Sequence, residues 1–119
     1  MDVGCDDLER TVWERICDAS GAPLQQRWAY GETARQLGGS IGRFSVRDNG
    51  ATVALAQVLI RRVIWRVALL TRGPVWVGDP PSETRQQACQ SLRRALRDAG
   101  VRGLLMTPDA EEPFQLGPT

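Results

Sequence analysis

The sequence predicts an α/β fold in which one mixed sheet carries helices on both faces. Three observations lead there. Helical and extended patterns succeed one another in the order helix, helix, two hairpin strands, strand, helix, strand. Asp48-Asn49-Gly50 joins two extended runs, one of the stronger short signals for an antiparallel hairpin. A helical segment then separates extended runs at Val75 and Leu104, the pattern of a right-handed crossover onto a shared sheet.

The spacing of Leu8, Val12 and Ile16, with Trp13 and Cys17 beside them, predicts a helix over Asp6 to Ser20. Gly21-Ala22-Pro23 breaks it. A second helix starts at Leu24 or Gln25 and runs to Leu37, with Leu24, Trp28, Gly31 and Ala34 on one stripe and Gly38-Gly39 as its stop. Ile41 to Arg47 alternates as a strand with Ile41, Arg43, Ser45 and Arg47 on one side. Its partner, Thr52 to Arg61, is apolar at nearly every position, as a strand covered on both faces is. Val63 to Leu70 forms a third strand or hairpin arm, and Val75-Trp76-Val77 resumes extended structure after Thr71-Arg72-Gly73-Pro74. Either Asp79 or Ser82 caps a third helix, whose buried stripe is Ala88, Leu92, Ala95, Leu96 and Ala99 and whose end is Gly100. Leu104-Leu105-Met106 is the last strand. Residues 1–108 thus form one small domain, and 109–119 a proline-containing tail or linker.

Composition removes several chemistries. All 15 basic residues are arginine, and the chain has no Lys and no His, so it holds no Schiff-base lysine, histidine base or histidine metal ligand. Cys5, Cys17 and Cys89 are odd in number and share no short spacing, which argues against a zinc site or a disulfide framework. They read as reduced thiols of a cytoplasmic protein. The formal charge of +1 gives no global field for nucleic acid or an anionic membrane. Ala51 to Ile60 and Val63 to Leu70 are too short to span a bilayer, and Arg66 interrupts the second.

Several strings, in order, resemble the amino-terminal GNAT-like half of FemAB-type acyltransferases. Pro23-Leu24-Gln25-Gln26-Arg27-Trp28 is similar to the family's "Gln-x-x-Trp" helix opening. Val46 to Leu59 is similar to its central hairpin, Thr71-Arg72-Gly73-Pro74-Val75 to its basic-Gly-Pro-Val turn, and Val101 to Pro108 to a strand ending in an acidic or proline-containing loop. The resemblance covers roughly Pro23 to Pro108. It implies an incomplete GNAT-like sheet, transfer of an acyl or aminoacyl group to an amine, and acyl-coenzyme A or aminoacyl-tRNA as donor for the complete family enzyme, with no cofactor held by this chain. Family members are two to three times longer, and their second half carries most of the transfer site. The resemblance therefore implies a partner half, or self-association, and no complete catalytic site here. Related acceptor-binding members carry Lys near the helix that holds Trp28 to Glu32, where this chain has none. Trp28, Tyr30, Glu32 and Arg72 are the candidates for lining an acceptor cleft, positioning substrate rather than reacting with it.

Other motifs are weighed against plainer readings. Arg35-Gln36-Leu37-Gly38-Gly39-Ser40 resembles a phosphate-binding string, but it ends a helix, where carbonyls rather than N–H groups point outward. Gly78-Asp79-Pro80-Pro81-Ser82 does open a helix, yet two prolines lack N–H and Asp79 repels anions. Arg61, Arg62, Arg66 and Arg72 with Trp65 suggest a grip on a phosphate backbone, such as a tRNA-linked donor, against the plainer reading of a solvated hairpin face. Arg93, Arg94 and Arg97 read as the wet face of a helix, and Trp13, Trp28 and Trp76 as core. Two functions stay open: part of an N-acyltransferase, or a non-catalytic homodimeric module on the same fold.

Overall fold

The computed structural model describes residues 1–62 and 66–107. Trp65, the start of the expected third strand, and the 109–119 tail lie outside the described residues. The elements are β1 (Asp2–Cys5), α1 (Arg10–Ser20), a 3-10 turn at Leu24–Gln26, α2 (Trp28–Gln36), β2 (Ser40–Asp48), β3 (Ala51–Arg62), β4 (Arg66–Thr71), β5 (Val75–Trp76), α3 (Ser82–Asp98) and β6 (Gly103–Thr107). The sheet runs β1-β2-β3-β4-β6, antiparallel except for the parallel pair β4 and β6, and β5 pairs with β3 off that path. The expected mixed sheet is present.

The hairpin turn between β2 and β3 forms at Asn49 and Gly50, both with positive φ, which suits Asn-Gly. Even-numbered residues of β3 and β4 face α3: Ala56, Val58, Ala68 and Leu70 pack with Phe44, Leu92, Leu96 and Val101. Burying Leu92 and Leu96 contributes roughly 1.5–3 kcal/mol each before entropy is counted. The opposite face packs Leu55 and Val75 against Trp13, Cys17 and Ala22. Helices therefore cover both faces of the sheet.

Four boundaries differ from expectation. The segment before α1 contains a strand that acidic residues disguised, and α1 begins at Arg10 rather than Asp6. Asp6 and Asp7 are held by β2 instead: Asp6 Oδ1 accepts from the Arg43 N–H (3.2 Å), and Asp7 pairs with Arg47 (3.0 Å). The second helix is broken at Arg27, whose extended backbone separates the 3-10 turn from α2. In consequence Leu24 is 65 % exposed, and Gln26 is the residue buried from this segment. Neither Asp79 nor Ser82 caps α3; Pro81 occupies the cap position without a side-chain bond, and Asp79 pairs with Arg85. Trp28 and Trp76 are half-buried under arginines, and Trp13 alone of the described tryptophans is fully buried.

Candidate functional site

The sheet is interrupted where β4 passes into β5. Leu59 faces Leu69, and Leu55 faces Val75. Four residue steps on β3 are therefore matched by six opposite, and the two extra residues leave the ladder between Leu70 and Val75 as a bulge. Gln57 sits midway along that stretch of β3; it faces Arg43 of β2 on one side and has no strand partner on the other. The Gln26 carboxamide takes the partner's place. Its Oε1 accepts from the Gln57 N–H (2.7 Å), and its Nε2 donates to Gln57 O (3.1 Å) and Thr71 O (2.9 Å). One side-chain amide thus replaces a missing peptide group and holds the bulge open.

The bulge contains Arg72, with φ +55°, and the cis Gly73–Pro74 bond. The Arg72 N–H donates to Thr107 Oγ1 of β6 (3.1 Å), tying the bulge to the next strand. A Cβ on Gly73 would lie 2.8 Å from Leu70 Cδ1 and 2.9 Å from Gln26 Cδ, so glycine is what lets the bulge close over Gln26. Arg72, Pro23, Trp76 and Arg85 are among the residues lining a pocket of about 370 Å³ between the end of α1, the bulge and the start of α3. Arg85 lies over the Trp76 ring (5.1 Å) and binds Pro80 O (2.9 Å) and Asp79 Oδ1 (2.8 Å).

A second polar assembly pins α2 to the sheet. The buried Arg43 guanidinium lies 3.5 Å from the Trp28 ring centroid. It donates to Gln57 Oε1 (2.7 Å), Trp28 O (3.0 Å) and Glu32 Oε2 (2.9 Å). Glu32 also pairs with Arg35 (2.9 Å). Its carboxyl is held below the usual range first by the Arg43 hydrogen bond and then, despite some desolvation, by the Arg35 charge. A carboxylate so occupied is a poor base. Gly31 touches the same network; a Cβ there would fall 2.3 Å from Gln57 Oε1.

The four sequence candidates do not converge. Trp28 lies beneath Arg43 and Glu32 is tied into that cluster. Tyr30 lines a different cleft of about 800 Å³ at the far end of α2. Arg72 lines the bulge pocket. Arg61, Arg62 and Arg66 share the Tyr30 cleft, whereas Arg72 stands at the opposite end of β4. Sequence reasoning missed Gln26, Arg43 and Gln57. The signal was Gln57, a polar residue amid the apolar run of β3, together with Arg43 on the side of its strand that also carries Ser45 and Arg47.

The opening of α3 does not fit an anion. Pro80 and Pro81 present no N–H, Asp79 adjoins them, and Glu83 occupies the first turn. No donor phosphate is assigned there. Among the described residues no cluster of His, Cys, Asp and Glu is arranged to hold a metal, and no helix is long and apolar enough to cross a membrane. Burial pushes the Cys17 thiol up to about 11, aided by Glu14, so it packs as an inert side chain.

No protein-family model matches the chain, and no curated protein does. Solved structures do. FemX aligns at 18 % identity and a TM-score of 0.64 over 84 % of this chain, and this chain spans only 24 % of FemX. A probable acetyltransferase aligns at 9 % identity and a TM-score of 0.60, covering 98 % of this chain and 84 % of its own. AAC(6')-Iy, solved in complex with the bisubstrate analogue CoA-S-monomethyl-acetylneamine, aligns at 18 % identity and a TM-score of 0.52, covering 98 % of this chain and 86 % of its own. The chain has the fold of the GNAT-superfamily acyltransferases.

Proposed function

We propose that this chain is the amino-terminal part of a FemAB-like N-acyltransferase that moves an acyl or aminoacyl group onto an amine, and that it is inactive without a second GNAT-like half. The observation that carries the reading is the bulge at 70–74. The sheet is opened at the turn that resembles the family's basic-Gly-Pro-Val segment, and a buried glutamine is committed to keeping it open. A side chain given over to that task, at a cost in ordering and desolvation, fits a pocket used for substrate. Arg72 on the wall of that pocket positions an anionic portion of the acceptor, and Arg85 and Trp76 frame it. Acyl-coenzyme A or aminoacyl-tRNA binds mainly to the second half, in keeping with the unsuitable opening of α3.

A second reading, a homodimeric non-catalytic module, draws support from the absence of Lys and His and from the engagement of Glu32 by two arginines. Light scattering with and without a co-expressed downstream half separates them. One-to-one assembly that gains acyl transfer, with Arg72→Ala raising the acceptor KM, supports the enzyme. A stable homodimer indifferent to such a partner overturns it.

A further inference from the structure

On the face of the sheet opposite α3, the helical cover stops short. There α1 and α2 lie chiefly against β2, β3 and β5. The end of α2 reaches as far as Leu59, whose Cδ1 is 2.8 Å from where a Cβ on Gly39 would stand. Leu59 faces Leu69 and Leu69 faces Leu105, making one apolar row across β3, β4 and β6. Arg61, Val67 and Gly103 form the next row. Ala68, Leu70, Leu104 and Met106 take the α3 side, so strand alternation puts both rows on the other. Among the described residues, none of Leu59, Val67, Leu69 and Leu105 joins a core cluster, and Leu105 is 56 % exposed. An apolar sheet face of this kind calls for a further layer over it.

The charge around the strip has one sign. Residues 60–78 and 99–107 contain Arg61, Arg62, Arg66, Arg72 and Arg102 and no Asp or Glu. Arg61 stands on the strip itself, exposed, and makes no ion pair among the described residues. A second copy seated here would set these arginines against their own kind across a two-fold interface. A partner carrying carboxylates beside an apolar stripe meets both features. The run from Val67 to Thr71 is roughly 13 Å long, about two and a half turns of helix.

We infer that the strip over β4 and β6 docks an amphipathic helix of the second GNAT-like half, its apolar stripe on Leu69 and Leu105 and a carboxylate on Arg61. The helix lies beside the end of α2 and continues that layer. Assigning it to the second half rests on the acyltransferase reading; the apolar floor and the charge of the surface do not.

The test begins with amide NMR of the full chain, titrated with a cross-linked, helical three-turn Leu/Glu peptide and with its Leu/Lys counterpart. Shifts are expected with the Leu/Glu peptide at Leu59, Arg61, 67–71 and 103–105. Leu105→Glu should weaken that binding at least about tenfold, and Arg61→Glu should turn the preference toward the Leu/Lys peptide. Leu105 is more than half exposed, so its variant should fold, as a thermal melt verifies. Light scattering with the co-expressed downstream half follows, and Leu105→Glu should abolish one-to-one assembly. Assembly that survives Leu105→Glu and transfers acyl groups would overturn this docking surface and leave the enzyme reading standing. Assembly that needs Leu105 yet transfers nothing would keep the surface and remove the enzyme reading. The inference also falls if no assembly forms, or if the Leu/Lys peptide binds the native chain as tightly. It falls equally if Leu105→Glu instead dissolves a homodimer, or if NMR contacts between Phe114 and Leu105 put the chain's own tail on the strip.

Discussion

At the scale of single residues, Gln26 is the most consequential side chain. Its carboxamide satisfies the buried N–H and C=O of Gln57 and the part-buried carbonyl of Thr71. Removing it strands buried polar groups and leaves a void. Gln26→Ala should therefore cost about 3 kcal/mol in chemical denaturation. Gln26→Glu should also destabilise, because a carboxylate cannot donate to the two carbonyls. If Gln26→Ala melts like the native chain, the bulge is held by something else. Glu32 gives a pH test. Its folded-state pKa lies below its ordinary 4.5, so its pairing stabilises the fold above that pH and is lost as pH falls through the folded value. The stability difference between the native chain and Glu32→Gln should be constant from pH 6 to 8 and shrink below about pH 4.5. A difference that persists unchanged at pH 3 would assign Glu32 a role independent of its charge.

At the scale of elements, Gly31 shows how α2 is seated. Its Cβ position is already taken by Gln57 Oε1 at 2.3 Å and Arg43 Nη2 at 2.7 Å. Those atoms are bonded to each other's neighbours, so they cannot swing away freely. Gly31→Ala should cost about 2 kcal/mol, despite alanine's better helix propensity. A gain in stability would show that α2 is free to lift. The same elements explain what was legible in the sequence. Ala88, Leu92 and Leu96 of the α3 stripe, the Asn-Gly hairpin and the apolar β3 announced themselves because local pattern and tertiary role agree there, whereas Ala99, expected on that stripe, is exposed past the end of α3. The start of α1 did not, because Asp6 and Asp7 look like helix-opening acids while their carboxylates are claimed by β2, far away in sequence. The break at Arg27 was hidden for a related reason: its guanidinium reaches back to Asp18 and to Ala22 O, and Gln26 is drawn into the sheet. The candidates on α2 separated because that helix is amphipathic on a finer scale than one stripe. Trp28 and Tyr30 are only two positions apart, so they point to different surroundings.

At the scale of the whole molecule, a formal charge of +1 conceals segregation. Residues 60–107 hold nine arginines against three carboxylates, whereas residues 1–59 hold six against eight. The excess gathers where β3, β4 and the end of α3 meet, with Arg62 facing Arg66. An arrangement selected for stability alone would place opposite charges across that pair. Arg62→Gln should accordingly stabilise the chain by about 0.5 kcal/mol, within the range for cross-strand pairs. For a domain of this size that raises Tm by roughly 1–3 °C. Because the pair is partly solvated, the gain should be largest at low ionic strength and fade in 0.5 M NaCl, where screening relieves the native pair as well. Calorimetry at the two salt concentrations reads both effects. A destabilised Arg62→Gln, or a gain indifferent to salt, would mean that Arg62 serves the fold rather than opposing Arg66.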